Sequence, residues 1–341
     1  YVEYSQDKKE YQIKGYTTED CGNLYAFCIE RFLNLAQNKS AQGLIIPLSV
    51  VCSERMAPLR YILTGSYKGV WFNNYDTIPS TLFSGIVQRN TILILNSYDE
   101  SFCLTRLQKW YAAGRDYIFG NIKYTSTNKM ASDKKSLPKI GTLIERNILK
   151  KIAAKKSSVY SWFLKCSSHK IEYKRRWSYF LLFAEQLEGI RMPDGTIRKQ
   201  QDNKRLFACS EANKKILVSA LSSNTFYFLY TTFSDIRHLN VADIKNFYLG
   251  KDMKLEQREL LQIYCDELME SYSNNLEWRQ CNYKGSIGKC DVPFYRQSAS
   301  FDVIRKIDCA LSKHYGFTEE ELDFIINYDI KYRMGDALFE K

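Results

Sequence analysis

GLIIPLSVVCSERMAPLRYIL, running from Gly43 to Leu63, begins as a short apolar run and ends as an amphipathic one. A glycine followed by eight or so mostly apolar residues has the length and β-branched content of a buried strand. The second half predicts a helix, because Pro58 is tolerated in a first turn and Gly65 provides a stop. Working outward, TTEDCGNLYAFCIERFLNLAQ (17–37) starts with capping residues and sets Leu24, Phe27, Cys28, Phe32 and Leu35 on one helical face. Downstream, GVWFNNYD (69–76) and RNTILILN (89–96) are strand candidates joined by the loop IPSTLFSGIVQ (78–88). Residues 20–97 thus read helix, strand, helix, strand, strand: half of an α/β domain, closing on an antiparallel pair.

Beyond residue 97 the pattern changes. SFCLTRLQKWYA (101–112) predicts a linking helix within 98–118. Residues 119–253 alternate Ser/Lys-rich stretches with aromatic ones, and MPDGTIRK (192–199) holds a turn in which Pro presets φ and Gly accepts a positive φ. NTFYFLYTTFSD (224–235) is aromatic and β-branched, so its FYFLY run is expected to be a core strand. Residues 254–341 are expected to be helical. KLEQRELLQIYCDELMESYS spaces Leu255, Leu260, Leu261, Tyr264 and Leu268 as one face, NYKGSIGKCD reads as a loop, and two helices follow. The first of those helices ends at Gly316, and the second starts on a cap and three acids.

The charge is unevenly placed. Of the chain's net +11, residues 121–215 alone carry 22 Lys and Arg against 8 Asp and Glu, a net +14, so the remainder is about −3. A single basic segment suits a phosphate backbone, where each neutralised phosphate releases condensed counterions. A solvated lysine-rich surface gives the same count. The ten cysteines are scattered without a C-x-x-C pair, as expected of reduced thiols in a cytoplasmic protein. Three distant histidines give no zinc spacing, so no metal is expected. No apolar run approaches the roughly 18 residues of a membrane span.

Within the basic segment, Lys174, Arg175, Arg176 and Trp177 form one cluster, and Arg198, Lys199, Gln200, Gln201, Lys204 and Arg205 form another. Arginine and glutamine can bond base edges in pairs, whereas lysine mostly meets phosphate. Each of these residues also fits a plain solvated charge run. The sequence IEYK (171–174) contains half of a nuclease Glu-x-Lys, but no Pro-Asp precedes it at a suitable distance, and chance accounts for it better.

Three stretches resemble one family, the N6-adenine DNA methyltransferases of fused type IIG restriction–modification systems. GNLYAFCIERFLNLA with GLIIPLSVVCSERMAPLRYIL is similar to the region after that family's Asn-Pro-Pro-Tyr motif. TIPSTLFSGIVQRNTILIL looks like its late motif, and KIDCALSKHYGFTEEELDFIINYDIKYRMG (306–335) looks like its C-terminal tail. The resemblance covers about 1–97 and 300–335, and more loosely RHLNVADIKNFYL (237–249), which brings in Arg237 and its neighbour His238 as candidate DNA contacts.

The resemblance implies an α/β fold: the C-terminal half of a Rossmann-like methyltransferase domain (1–97), a linking helix (98–118), a mixed α/β target-recognition domain (119–253) and a helical C-terminal region (254–341). It implies that YVEYS is the tail of the catalytic motif, with Tyr1 and Phe83 as the aromatic faces that hold a flipped adenine. The family's S-adenosylmethionine loop lies upstream of that motif. Here Gly15, Gly22, Gly43 and Gly65 stand alone, so the cofactor is expected for the complete enzyme and not for this chain by itself. Double-stranded DNA is the expected partner, together with the N-terminal methyltransferase or nuclease part of the same protein. Two other classes remain open: a non-catalytic specificity subunit docked on a separate methylase, and an RNA-binding protein.

Overall fold

In the computed structural model residues 13–36, 41–126, 136–176, 179–283 and 288–335 are described. The chain divides into two units, one of residues 1–146 with 231–235 and one of residues 147–230 with 236–341.

The first unit is built on a five-stranded sheet. Helix α1 (Leu24–Leu35) begins at Asn23, whose side chain accepts from the Tyr25 N–H. Strand β1 (Gln42–Pro47) leads through a helical turn at Ser49–Cys52 into α2 (Ala57–Ser66), which carries its proline in the first turn as expected. Strands β2 (Gly69–Tyr75) and β3 (Asn90–Asn96) are the antiparallel pair read from sequence. β3 lies between β1 and β2, and β1 sits at one edge of the described sheet. That placement corrects two expectations. The GLIIP strand is half-exposed, with Ile45 57% accessible, and an edge is where Pro47 costs no ladder bond. Of the face proposed for α1, Phe27 is buried while Cys28, Phe32 and Leu35 are exposed; Ala26, Ile29 and Glu30 turn inward instead.

SFCLTRLQ is strand β4 (Ser101–Gln108), parallel to β2, and β5 (Tyr124–Ser126) extends the sheet, so the linking helix expected over 98–118 is replaced by a strand and a short 3-10 helix at Ala112–Tyr117. The sheet therefore runs through the boundary expected near 97. Phe102, Cys103, Leu104 and Thr105 are buried in succession, as in a strand covered on both faces, and Phe102 meets Phe72 of β2 edge to face. Two buried cations serve backbone carbonyls here. Arg60 donates to Val50 O and Ser53 O (2.9 and 2.8 Å), and Lys139 donates to Thr232 O and Ser234 O (2.9 and 2.8 Å). Helix α3 (Leu143–Ala153) spans the division between the units.

The second unit holds two small sheets and a helical core. One sheet is ordered β6-β11-β7-β8, from Phe163–Leu164, Asn203–Ala208, Lys170–Lys174 and Phe183–Ala184. The other is β10-β9-β13-β12, from Ile197–Arg198, Ile190–Arg191, Gly288–Tyr295 and Leu276–Tyr283. The β12–β13 hairpin corrects the expected loop at 282–291. LEWRQCNY and GKCDVPFY pair across eight residues, from Leu276 opposite Tyr295 to Tyr283 opposite Gly288, within the region expected to be helical.

The helices are α4 (Glu211–Ser222), α5 (Asn224–Phe233), α6 (Val241–Lys245), α7 (Leu255–Asn274), α8 (Phe301–Tyr315) and α9 (Glu319–Ile326). The FYFLY run lies in α5 and is not a strand; Phe226, Tyr227, Phe228, Leu229 and Tyr230 are all buried. A helix apolar on every side belongs in a core, and an unbroken apolar run carries no period that separates it from a buried strand. In α7 the buried stripe is Gln257, Leu261, Cys265, Leu268 and Tyr272; Leu255 is exposed. The C-terminal signals were local and hold: Gly316 ends α8 at φ 69°, and Thr318 with Glu321 forms a capping box on α9.

Candidate nucleic-acid interface

The second unit gathers the two basic clusters on adjoining segments. β7 and β11 are antiparallel, with Glu172 opposite Arg205 and Lys174 opposite Asn203. Glu172 is buried. It accepts from Arg205 Nε at 2.8 Å and Leu187 N at 2.9 Å, and lies 3.4 Å from Lys170 Nζ and 3.9 Å from Lys199 Nζ. Burial pushes the Glu172 carboxyl up. The Leu187 N–H, the Arg205 guanidinium and the Lys170 charge outweigh that and hold it below the usual carboxylate range. One carboxylate thus fixes three cations drawn from β7, β11 and the β10–β11 connection.

The same connection ties down the first cluster, since Asp202 lies 3.5 Å from Arg176 Nε and its carbonyl accepts from Arg175 N (2.9 Å). Arg176 remains 73% exposed at its side chain. Arg198, Lys199, Gln201, Lys204 and Arg205 are exposed, whereas Gln200 is half-buried and its amide nitrogen meets no acceptor among the described residues. Arg237 is exposed and His238 half-buried. Trp177 and Tyr1 lie outside the described residues.

The hairpin adds cations that the sequence reading missed. Arg191 of β9 stacks over the Trp278 ring at 3.5 Å, and Arg279 stacks over Phe294 at 3.4 Å. Glu277 orients two of them, pairing with Arg279 at 3.0 Å and Arg296 at 2.8 Å. What the sequence did not show was the pairing of 276–283 with 288–295, which places these side chains in one sheet with Arg198.

A cavity of about 400 Å³ opens in this unit, lined by residues of 174–182, by 294–298 and by Arg333. Lys174, Arg176, Arg296 and Arg333 contribute four cationic side chains, and no Asp or Glu lines it among the described residues. Arg333 forms its floor. It is 5% exposed, donates to Tyr179 O (2.9 Å) and Asn224 Oδ1 (2.6 Å), and lies against the rings of Phe180 and Tyr227. Such a surface can grip phosphate oxygens and present flat faces to bases.

In the first unit Phe83 is half-buried and rests on the cluster of Tyr75, Leu82, Trp110 and Ile118, a core contact. At the nearby strand ends some polar groups pair with one another, while Tyr75 Oη and Trp110 Nε1 are buried with no hydrogen-bond partner among the described residues. Thr91 Oγ1 donates to Asn74 Oδ1 (2.9 Å), Asn74 Nδ2 to Thr105 O (3.0 Å), and Arg89 Nε to Asp76 Oδ1 (2.7 Å). Among the described residues no group of three or more His, Cys, Asp or Glu is placed to hold a metal, and no helix is long and apolar enough to cross a membrane.

The chain matches no family model and no curated protein. Among solved structures it is similar to the type IIG restriction endonuclease BpuSI, at 11% identity and a TM-score of 0.30, over 89% of this chain and 49% of that one. It is also similar to the type IIL restriction–modification enzyme MmeI in complex with DNA, at 10% identity and a TM-score of 0.47, over 91% of this chain and 52% of that one. Both scores fall below the level at which two chains share a fold, and the chain spans about half the length of each of these proteins.

Proposed function

We propose that this chain binds double-stranded DNA as part of a restriction–modification enzyme. In this reading the second unit grips the duplex, and the first unit belongs to an adenine-N6 methyltransferase domain whose S-adenosylmethionine site lies in the complete enzyme. The observation that carries the DNA reading is the cationic surface of the second unit. Segments 174–176, 198–205 and 279–296 are distant in sequence, and folding brings their arginines and lysines together, with Glu172, Asp202 and Glu277 pairing among them. A merely solvated lysine-rich face needs no such buried organising acid. The methyltransferase part rests on the resemblance of about 1–97 and 300–335 alone.

The test is fluorescence anisotropy with a duplex of about 25 base pairs, repeated across a salt series. The expected log K falls with log salt at a slope of about −3 or steeper, one phosphate contributing about −0.9. Arg198→Ala combined with Lys204→Ala, both on exposed positions, should flatten that slope by about 2 without altering thermal unfolding. A Kd weaker than about 10⁻⁴ M at physiological salt would overturn the reading. So would tighter binding to single-stranded RNA than to the duplex.

A further inference from the structure

We infer that the 400 Å³ cavity is a binding site for one phosphorylated nucleotide, with the phosphate against Lys174, Arg176 and Arg296 and the base against Tyr179, Phe294 or Tyr295. The inference deepens the nucleic-acid reading given above and in part rests on it. Three observations point to it. First, the lining interleaves cationic side chains with aromatic rings, the two kinds of group that a nucleotide's phosphate and base call for. The volume falls in the ordinary range of small-ligand sites.

Second, the cations differ in how far they are already satisfied. Arg296 is held by Glu277, Arg176 leans on Asp202, and Arg333 is built into the floor. Lys174 is half-buried and forms no ion pair with a described carboxylate; its ammonium lies 5.8 Å from the centre of the Tyr295 ring. Burial pulls its basicity below the ordinary lysine value, with Asp202 opposing from a distance. An ammonium taken out of water without a counter-ion is costly, and a phosphate in the cavity would supply the missing charge.

Third, the wall residue Tyr179 has φ of 64°, a left-handed backbone that a bulky side chain rarely adopts. Its carbonyl is fixed by Arg333, so the fold maintains this conformation at the cavity edge. Strain of this kind collects where a side chain must be aimed at a ligand.

The probes are 2′-deoxyadenosine 5′-monophosphate, deoxyadenosine and inorganic phosphate, each titrated calorimetrically into the full chain. The monophosphate should bind at least tenfold more tightly than either half. Lys174→Gln should weaken it at least tenfold, and Lys174→Arg should recover part of the loss. Arg176→Gln, at an exposed side chain, keeps the test open should the Lys174 variant fold poorly. Equal binding of the monophosphate and phosphate alone, or monophosphate binding unchanged in a folded Lys174→Gln or Arg176→Gln chain, overturns the inference.

Competition separates the sources. Displacement of the monophosphate by a 5′-phosphorylated single strand supports a nucleotide drawn from DNA; no displacement by any strand supports a free nucleotide in the same site. Duplex binding with its full salt slope but no monophosphate binding would sink the cavity and leave the DNA reading standing. Monophosphate binding without duplex binding would do the reverse.

Discussion

Replacing Asp308 by alanine is expected to lower the unfolding free energy by about 3–5 kcal/mol, the range for breaking one side of a buried charged network. Asp308 is fully buried on α8 and serves the start of α5. It accepts from Asn224 N at 3.2 Å, Thr225 N at 2.9 Å and Thr225 Oγ1 at 2.8 Å. It thereby satisfies two of the donors that a helix N-terminus leaves open. Asn224 in turn accepts from Arg333, so the carboxylate, the amide and the guanidinium form one chain under the cavity floor. Alanine would leave the donors unpaired and Arg333 with less opposing charge.

Asp308 also gives a pH signature. Burial pushes its carboxyl up to about 6, despite the Thr225 and Asn224 bonds and the Arg333 charge that pull the other way. An acid whose folded pKa is raised above its unfolded value binds its proton more tightly in the folded chain. Its contribution is then greatest below the unfolded value of about 4 and fades as pH rises through about 6. Relative to Asp308→Asn, the wild type should lose roughly 3 kcal/mol between pH 4 and pH 7, read by urea unfolding at each pH. Parallel profiles for the two chains would show that folding does not raise the Asp308 pKa.

Local signals were legible and long-range ones were not. The stop of α8 and the start of α9 are written in Gly316, Thr318 and Glu321, within a few residues of the helix ends they control. The β2–β3 pair was equally readable, since each strand carries its own short apolar run, Val70–Phe72 and Ile92–Leu95. Phe226 to Tyr230 misled because their conformation is set by what surrounds them: Asp308 holds the N-terminal donors, and Phe247, Phe324 and Tyr328 meet the rings. SFCLTRLQ misled because a strand between β2 and β5 depends on partners 30 residues upstream and 20 downstream. The candidate interface shows the same limit. Charge clustering found Lys174, Arg176, Lys199 and Arg205. It could not find Arg296 or Phe294, which reach the cavity only because 276–295 is a hairpin. Glu172 was set aside as half of a chance motif, and the fold makes it the organising acid of the basic surface.

Glu172→Ala is therefore expected to cost about 2–3 kcal/mol, less than the Asp308 substitution because Lys199 and Arg205 can turn to water once released. Their side chains are already 49% and 42% exposed, so the loss falls on the Leu187 N–H and on the pairing of β7 with β11. The pH dependence has the opposite sign to that of Asp308. The Glu172 carboxyl is held below its ordinary value, so its contribution is complete above about pH 4.5 and is lost as pH falls through the folded value. The stability gap between wild type and Glu172→Gln should narrow on acidification, where the gap for Asp308→Asn should move in favour of the wild type. Glu172 touches cations and the chain, not phosphate, so the salt slope of duplex binding should survive the glutamine substitution. A slope that drops by one or more would mean that Lys199 and Arg205 reach phosphate only while this acid holds them, which would make Glu172 a positioning residue of the interface.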